Sequence, residues 1–168
     1  MAPTDSHPTE TRTAELWVRS HSPFGAAPER ATVLDSLETL EEAGYFEDVT
    51  ARLWGKRVGL STMAARTEEG TEILDRVTDF RTWAERNDAT VEQFFPERMM
   101  DSHLVDESYL VQELPTLALA EYEDGEVVHV TPCIVDGTLQ TVEDRVSTIE
   151  AEAEGEIAQR ELAPAGVQ

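Results

Sequence analysis

The apolar positions of Ala14 to Ser20 (AELWVRS) form a short run, broken by Glu15 and closed by Arg19, whose aromatic and β-branched content predicts a strand. The following HSPFGAAP carries two prolines and a glycine, so a loop ends it. Pro28 has the fixed φ suited to a first helical turn. Val33, Leu34, Leu37 and Leu40 then recur at helical spacing until Gly44 supplies a stop. Val49 to Trp54 (VTARLW) alternates, with Val49, Ala51 and Leu53 on one side. Strand, helix and strand in so short a span predict a right-handed βαβ crossover.

Thr67 is a helix cap by residue type, Glu68 and Glu69 sit at the positive end of the dipole, and Ile73, Leu74, Val77, Phe80 and Ala84 form an apolar stripe ending near Asn87. Residues 90–113 read as mixed strand and loop: VEQFF, RMMDSHLV and SYLVQEL are strand-like, but Pro96 and Asp106-Glu107 interrupt them. Thr116–Tyr122 and Glu126–Thr131 flank Glu123-Asp124-Gly125, where Asp-Gly gives the positive φ of a tight hairpin. The unbroken run Leu117-Ala118-Leu119-Ala120 predicts a central strand covered on both faces, with its small residues where a helix approaches closely. Thr141 to Asp144 caps a last helix bearing Val142, Val146 and Ile149 on one face.

This order predicts an α/β fold, a mixed sheet with helices on both faces, in a single domain spanning residues 13–152; the alternative is an α+β ferredoxin-like sandwich. Residues 1–12 and the acidic, alanine-rich residues 153–168 bury too little to order themselves and are expected to be disordered.

Charge changes the picture. The 168 residues hold 35 acidic and 13 basic side chains, a net charge of −22, and Lys56 is the sole lysine. Like charge at that density opposes compaction in dilute buffer and is screened at molar salt, where the Debye length is about 3 Å. The composition resembles that of small, uncharacterised haloarchaeal proteins and implies a salt-loaded cytoplasm. With one cysteine, Cys133, an intramolecular disulfide is excluded. The absence of an apolar leader or a long apolar run predicts a cytoplasmic chain with no membrane span.

Leu114-Pro115-Thr116, an apolar strand, Asp124-Gly125, a second strand and a capped helix resemble the second half of thioredoxin-like proteins. The resemblance implies a thioredoxin-like order of elements and a cis Leu114–Pro115 bond beside a site loop. Where that family carries two redox cysteines, this chain has Ser20-His21-Ser22-Pro23-Phe24-Gly25, and hydroxyls cannot replace an attacking thiolate. A redox-inactive protein is therefore expected.

Two groups of side chains are candidates for binding. Ser20, His21 and Ser22, with Pro115 nearby, lie where a strand meets a helix start and an anionic ligand would dock; the plainer account is a connection whose serines satisfy the helix start. Residues 49–66 hold Arg52, Lys56, Arg57 and Arg66 and no carboxylate. If the first two strands are parallel neighbours, Trp17 and Arg19 meet Arg52 and Trp54 in a basic, aromatic face suited to nucleic acid, nucleotide or an acidic partner. The plainer account buries the tryptophans under Phe80 and Trp83 and pairs the arginines with carboxylates. His129 and Cys133, with His21 or His103, are too scattered for a metal site, and no cofactor or metal is expected.

The first functional reading is a non-catalytic binding or interaction module, holding a protein partner or small anionic ligand. The alternative is a DNA-binding transcriptional regulator: ATVLDSLETLEEAGYF followed by VTARLWGKRVG (residues 31–59) resembles the last helix and wing of winged helix-turn-helix domains. Against the alternative, that helix carries Asp35, Glu38, Glu41 and Glu42, which phosphates repel.

Overall fold

In a computed structural model, which describes residues 11–20, 28–60, 67–102 and 107–162, the chain builds three helices and three sheets. The central layer has the order β2-β1-β7-β8, from β1 (Arg12–Arg19), β2 (Asp48–Trp54), β7 (Leu117–Glu123) and β8 (Glu126–Thr131). β1 and β2 are parallel, joined through α1 (Pro28–Glu42), while β7 runs antiparallel to both of its neighbours. β7 is interior, as its unbroken apolar run requires, and Ala118 to Tyr122 are all buried.

Helices cover both faces. Val33, Leu37 and Leu40 of α1 and Val142, Val146 and Ile149 of α3 (Val142–Leu162) pack on Ala14, Leu16 and Leu119. Val77, Phe80 and Trp83 of α2 (Glu68–Arg86) pack on Trp17, Trp54, Ala118 and Ala120 on the opposite face. The parallel pair and two-sided cover establish α/β and exclude the one-sided ferredoxin-like alternative. Both caps form as their residue types dictate: Gly70 N–H donates to Thr67 Oγ1 at 3.0 Å, and Thr141 and Asp144 cap each other reciprocally, each bond 3.1 Å.

Residues 90–113 resolve into a second layer. β3 (Arg57–Gly59), β6 (Glu107–Glu113) and β5 (Glu97–Ser102) form an antiparallel sheet in the order β3-β6-β5, whereas VEQFF is a turn that buries Val91 and Phe95 beside Trp54 and Phe80. A third small sheet joins β4 (Ala89–Thr90), β9 (Cys133–Val135) and β10 (Thr138–Gln140).

Ala118 and Ala120 lie on the face that α2 covers, as expected of small residues where a helix approaches, and Ala118 is also the cross-strand partner of Trp17. α3 runs on past residue 152 to Leu162, Ala153 is buried, and Glu156 accepts a hydrogen bond from Arg12 at 3.1 Å. Two expectations are corrected. Leu114–Pro115 is not cis; among the described residues the cis bond is Thr131–Pro132. The strands after α1 are not a wing hairpin, since β2 pairs with β1 and β3 with β6.

The deepest ion pair ties α3 to the central strand: Arg145 donates two bonds to Glu121, at 2.7 and 2.8 Å, with 6% of the Glu121 side chain exposed. Removing one member of such a pair strands the other in low dielectric. Arg145→Ala is expected to lower stability by about 3–5 kcal/mol in chemical denaturation; a loss below 1 kcal/mol, the range of exposed pairs, would contradict this account.

Candidate functional site

The register of β1 on β2 places Trp17 opposite Arg52 and Arg19 opposite Trp54, the adjacency expected from parallel neighbours. The two indoles stack with ring centroids 5.0 Å apart and Arg52 lies 4.6 Å over the Trp17 ring. The cluster faces inward, however. Trp17 is 1% and Trp54 2% exposed, with Phe80 and Phe95 around them, and Arg52 is taken up by Glu15 and Glu72. Trp17, Trp54 and Arg52 therefore form no exposed stacking platform.

The remaining candidates gather at the carboxyl ends of β1 and β2, around Glu113 to Thr116. Arg19 donates through its main chain to Thr116 O at 3.0 Å and through its guanidinium to Leu114 O. Ser20 N–H donates to Trp54 O at 2.8 Å, and the Trp54 indole N–H donates to Pro115 O at 3.0 Å. Lys56 O accepts from Leu114 N–H at 2.9 Å, and Arg57 pairs in register with Glu113. Arg30, in the first turn of α1, donates to Arg19 O at 3.2 Å. Ser20 and Pro115 are thus brought together through Trp54, whereas His21 and Ser22 lie outside the described residues, as do Arg66 and His103.

Arg19, Arg30, Lys56 and Arg57 form a basic edge. Among the described residues none of them pairs with a carboxylate: Arg19 and Arg30 bond to carbonyls, each with its Nε buried and unpartnered, and Arg57 contacts Met100 Sδ at 3.2 Å. Arg12, Arg52, Arg76, Arg81, Arg98 and Arg145 all have acidic partners.

Elsewhere, Glu15 is a half-buried hub that sequence reasoning missed. It accepts from Tyr122 Oη at 2.7 Å and from Arg76 at 3.1 Å, beside a cavity of about 550 Å³ that also reaches Asp79, Arg86 and Trp83. The available signal was an acid two residues before Trp17, on the same face of the strand. His129 and Cys133 share Gln140, at 2.7 and 3.8 Å. Burial first, then Arg145, pulls the His129 pKa down, and burial pushes the Cys133 thiol up, away from thiolate chemistry. Among the described residues no group of three metal-ligating side chains converges, and no helix is long and apolar enough to cross a membrane.

Burial, then the Glu15 hydrogen bond, raises the Tyr122 pKa, and burial pushes Tyr45 up to about 12. A phenol with a folded pKa above its unfolded value of about 10 holds its proton longer when folded, so its stabilisation is full below pH 10 and lost as pH rises through the folded value. Melting temperature is expected to fall above about pH 10, and Tyr45→Phe with Tyr122→Phe should flatten that decline in circular-dichroism melts; an undiminished decline in the double variant would count against the assignment.

A family model described as a helix-turn-helix domain matches residues 6–154, and the chain belongs to that family. No curated protein and no solved structure matches it significantly.

Proposed function

We propose that this member of the helix-turn-helix domain family is a DNA-binding regulator that meets phosphates with its basic edge. The observation that carries the reading is the family match over residues 6–154. It favours the second sequence-based reading over the general binding module, and the edge says where contact would occur.

Arg19, Arg30, Lys56 and Arg57 make no ion pair among the described residues, and guanidinium groups suit the fork geometry of phosphate. The first helix is a poor reader in its own right. Its exposed positions include Asp35, Glu38 and Glu42, and β2 and β3 separate it from α2 instead of a short turn. Contact is therefore assigned to strand ends and the loops beside them, a mode in which strands and arms serve in place of a recognition helix.

The test is selection from random-sequence duplexes, followed by fluorescence anisotropy across a potassium chloride series. Four cations on phosphates give a slope of log K against log salt of about −3 to −4. Lys56→Gln with Arg57→Gln should weaken binding at least tenfold, about 1.4 kcal/mol, without lowering the melting temperature. No enrichment of any sequence would refute the DNA reading, and enrichment with unchanged affinity in the double variant would refute the edge.

A further inference from the structure

Three long strands lie at sheet edges, and two are protected against pairing with another chain. β8 carries a bulge, because Glu121 pairs with His129 and Tyr122 with Val127, leaving Val128 without a partner. β5 presents the charged, exposed Glu97, Arg98 and Asp101. Bulges and charges are devices by which edges avoid pairing. β2 has neither along its middle.

From Val49 to Trp54 the strand has no proline, no bulge and no carboxylate, and the guanidinium of its one charged residue, Arg52, is already held by Glu15 and Glu72. Thr50 and Ala51 are exposed, and Leu53 is 68% exposed. Main-chain direction follows from the parallel pairing: Ser20 donates to Trp54 O, so the even positions of β2 face β1 and the odd ones face outward. Glu41 Oε2 accepts from Val49 N–H at 2.6 Å; the N–H and C=O groups of Ala51 and Leu53 are left pointing away from the sheet.

We infer that β2 is a self-association edge, pairing antiparallel with β2 of a second copy of this chain to give one continuous sheet across a two-fold axis near Ala51 and Arg52. Charge selects the occupant. Copies at −22 each repel over most of their surfaces, and residues 49–66 are the stretch where carboxylates are missing. The strand also has opposite charge at its two ends, with exposed Glu47 and Asp48 before it and exposed Lys56 after it. Antiparallel pairing sets Glu47 and Asp48 of each copy beside Lys56 of the other, twice by symmetry, as an isologous contact requires. A parallel arrangement would put acid on acid. The pairing involves no DNA and stands whether or not the chain binds it.

Sedimentation equilibrium of the full chain, without DNA, at about 0.1 M and about 1 M potassium chloride, where the Debye length is about 10 and 3 Å, tests the pairing. The expected species has twice the 18.7 kDa chain mass, more stable at the higher salt. Ala51→Pro removes an outward N–H and no bond to β1, so it should weaken the dimer at least tenfold with the melt preserved. Should that variant fail to fold, Leu53→Lys places charge at the same edge and should weaken it likewise. Lys56→Glu should weaken the dimer and Asp48→Lys added to it should restore it. A monomer at both salts, a dimer indifferent to both edge variants, or a double charge variant no tighter than the single one would overturn the inference.

Discussion

The stack of Trp17 on Trp54 is the contact around which the rest is arranged. Two indoles side by side on adjacent parallel strands need depth on that face, and the next strand supplies it by offering Ala118 and Ala120 where large residues would collide. Small side chains on one face of β7 and Leu117 and Leu119 on the other follow from that single demand. Phe80 and Phe95 then close over the pair, with Phe95 edge-on to Trp54 at 5.9 Å, so the turn at Phe95 serves the core that α2 covers. The Trp54 indole N–H also fixes Pro115 O, and through it the segment on which Arg19 and Lys56 are hung.

Charge obeys a second constraint. With 35 acids to 13 bases, a cation inside the fold is readily neutralised, and six arginines are: Glu15 draws in Arg52 and Arg76, and Glu121 draws in Arg145. A guanidinium escapes this where main-chain carbonyls claim it first, as Leu114 O claims Arg19 and Arg19 O claims Arg30. A carbonyl takes one of its hydrogens and brings no full charge to compensate it. That difference separates Arg19 and Arg30 from the six arginines that pair with carboxylates.

The fold was largely legible because its periodic segments are strong. Both helix caps, the helix of residues 28–42, the parallel pair and the Asp124-Gly125 hairpin follow from residue type and spacing, and the left-handed φ values of 51° and 83° appear where that dipeptide requires them. A second Asp-Gly, at Asp136 and Gly137, carries the same signature and joins β9 to β10; it was readable, but its strands are only three residues long and show no alternation. VEQFF misleads because both of its buried residues, Val91 and Phe95, point into the core from a turn, so its apolar content reports burial and not extension. The extension of α3 past residue 152 was hidden because its last ordered turns are anchored by one alanine and an ion pair to Arg12, contacts that hydrophobic spacing does not reveal. Of the candidate site, the adjacency of Trp17, Arg19, Arg52 and Trp54 was legible from alternation, whereas which of them face solvent depends on where α2 lies.

The family's name and this geometry meet in the question of what a polyanion can approach. A helix presenting Asp35, Glu38 and Glu42 raises the energy of any phosphate brought near it, and salt that screens this repulsion screens attraction elsewhere by the same factor. Long-range attraction therefore cannot concentrate DNA on this surface, and contact has to rest on short hydrogen bonds from groups already held in place. Arg19 and Arg30 meet that condition, since their guanidiniums are positioned by carbonyls before a ligand arrives and lose little rotamer freedom on binding. On the proposed reading these carbonyl-held guanidiniums, and not the acidic first helix, are the groups that would meet nucleic acid.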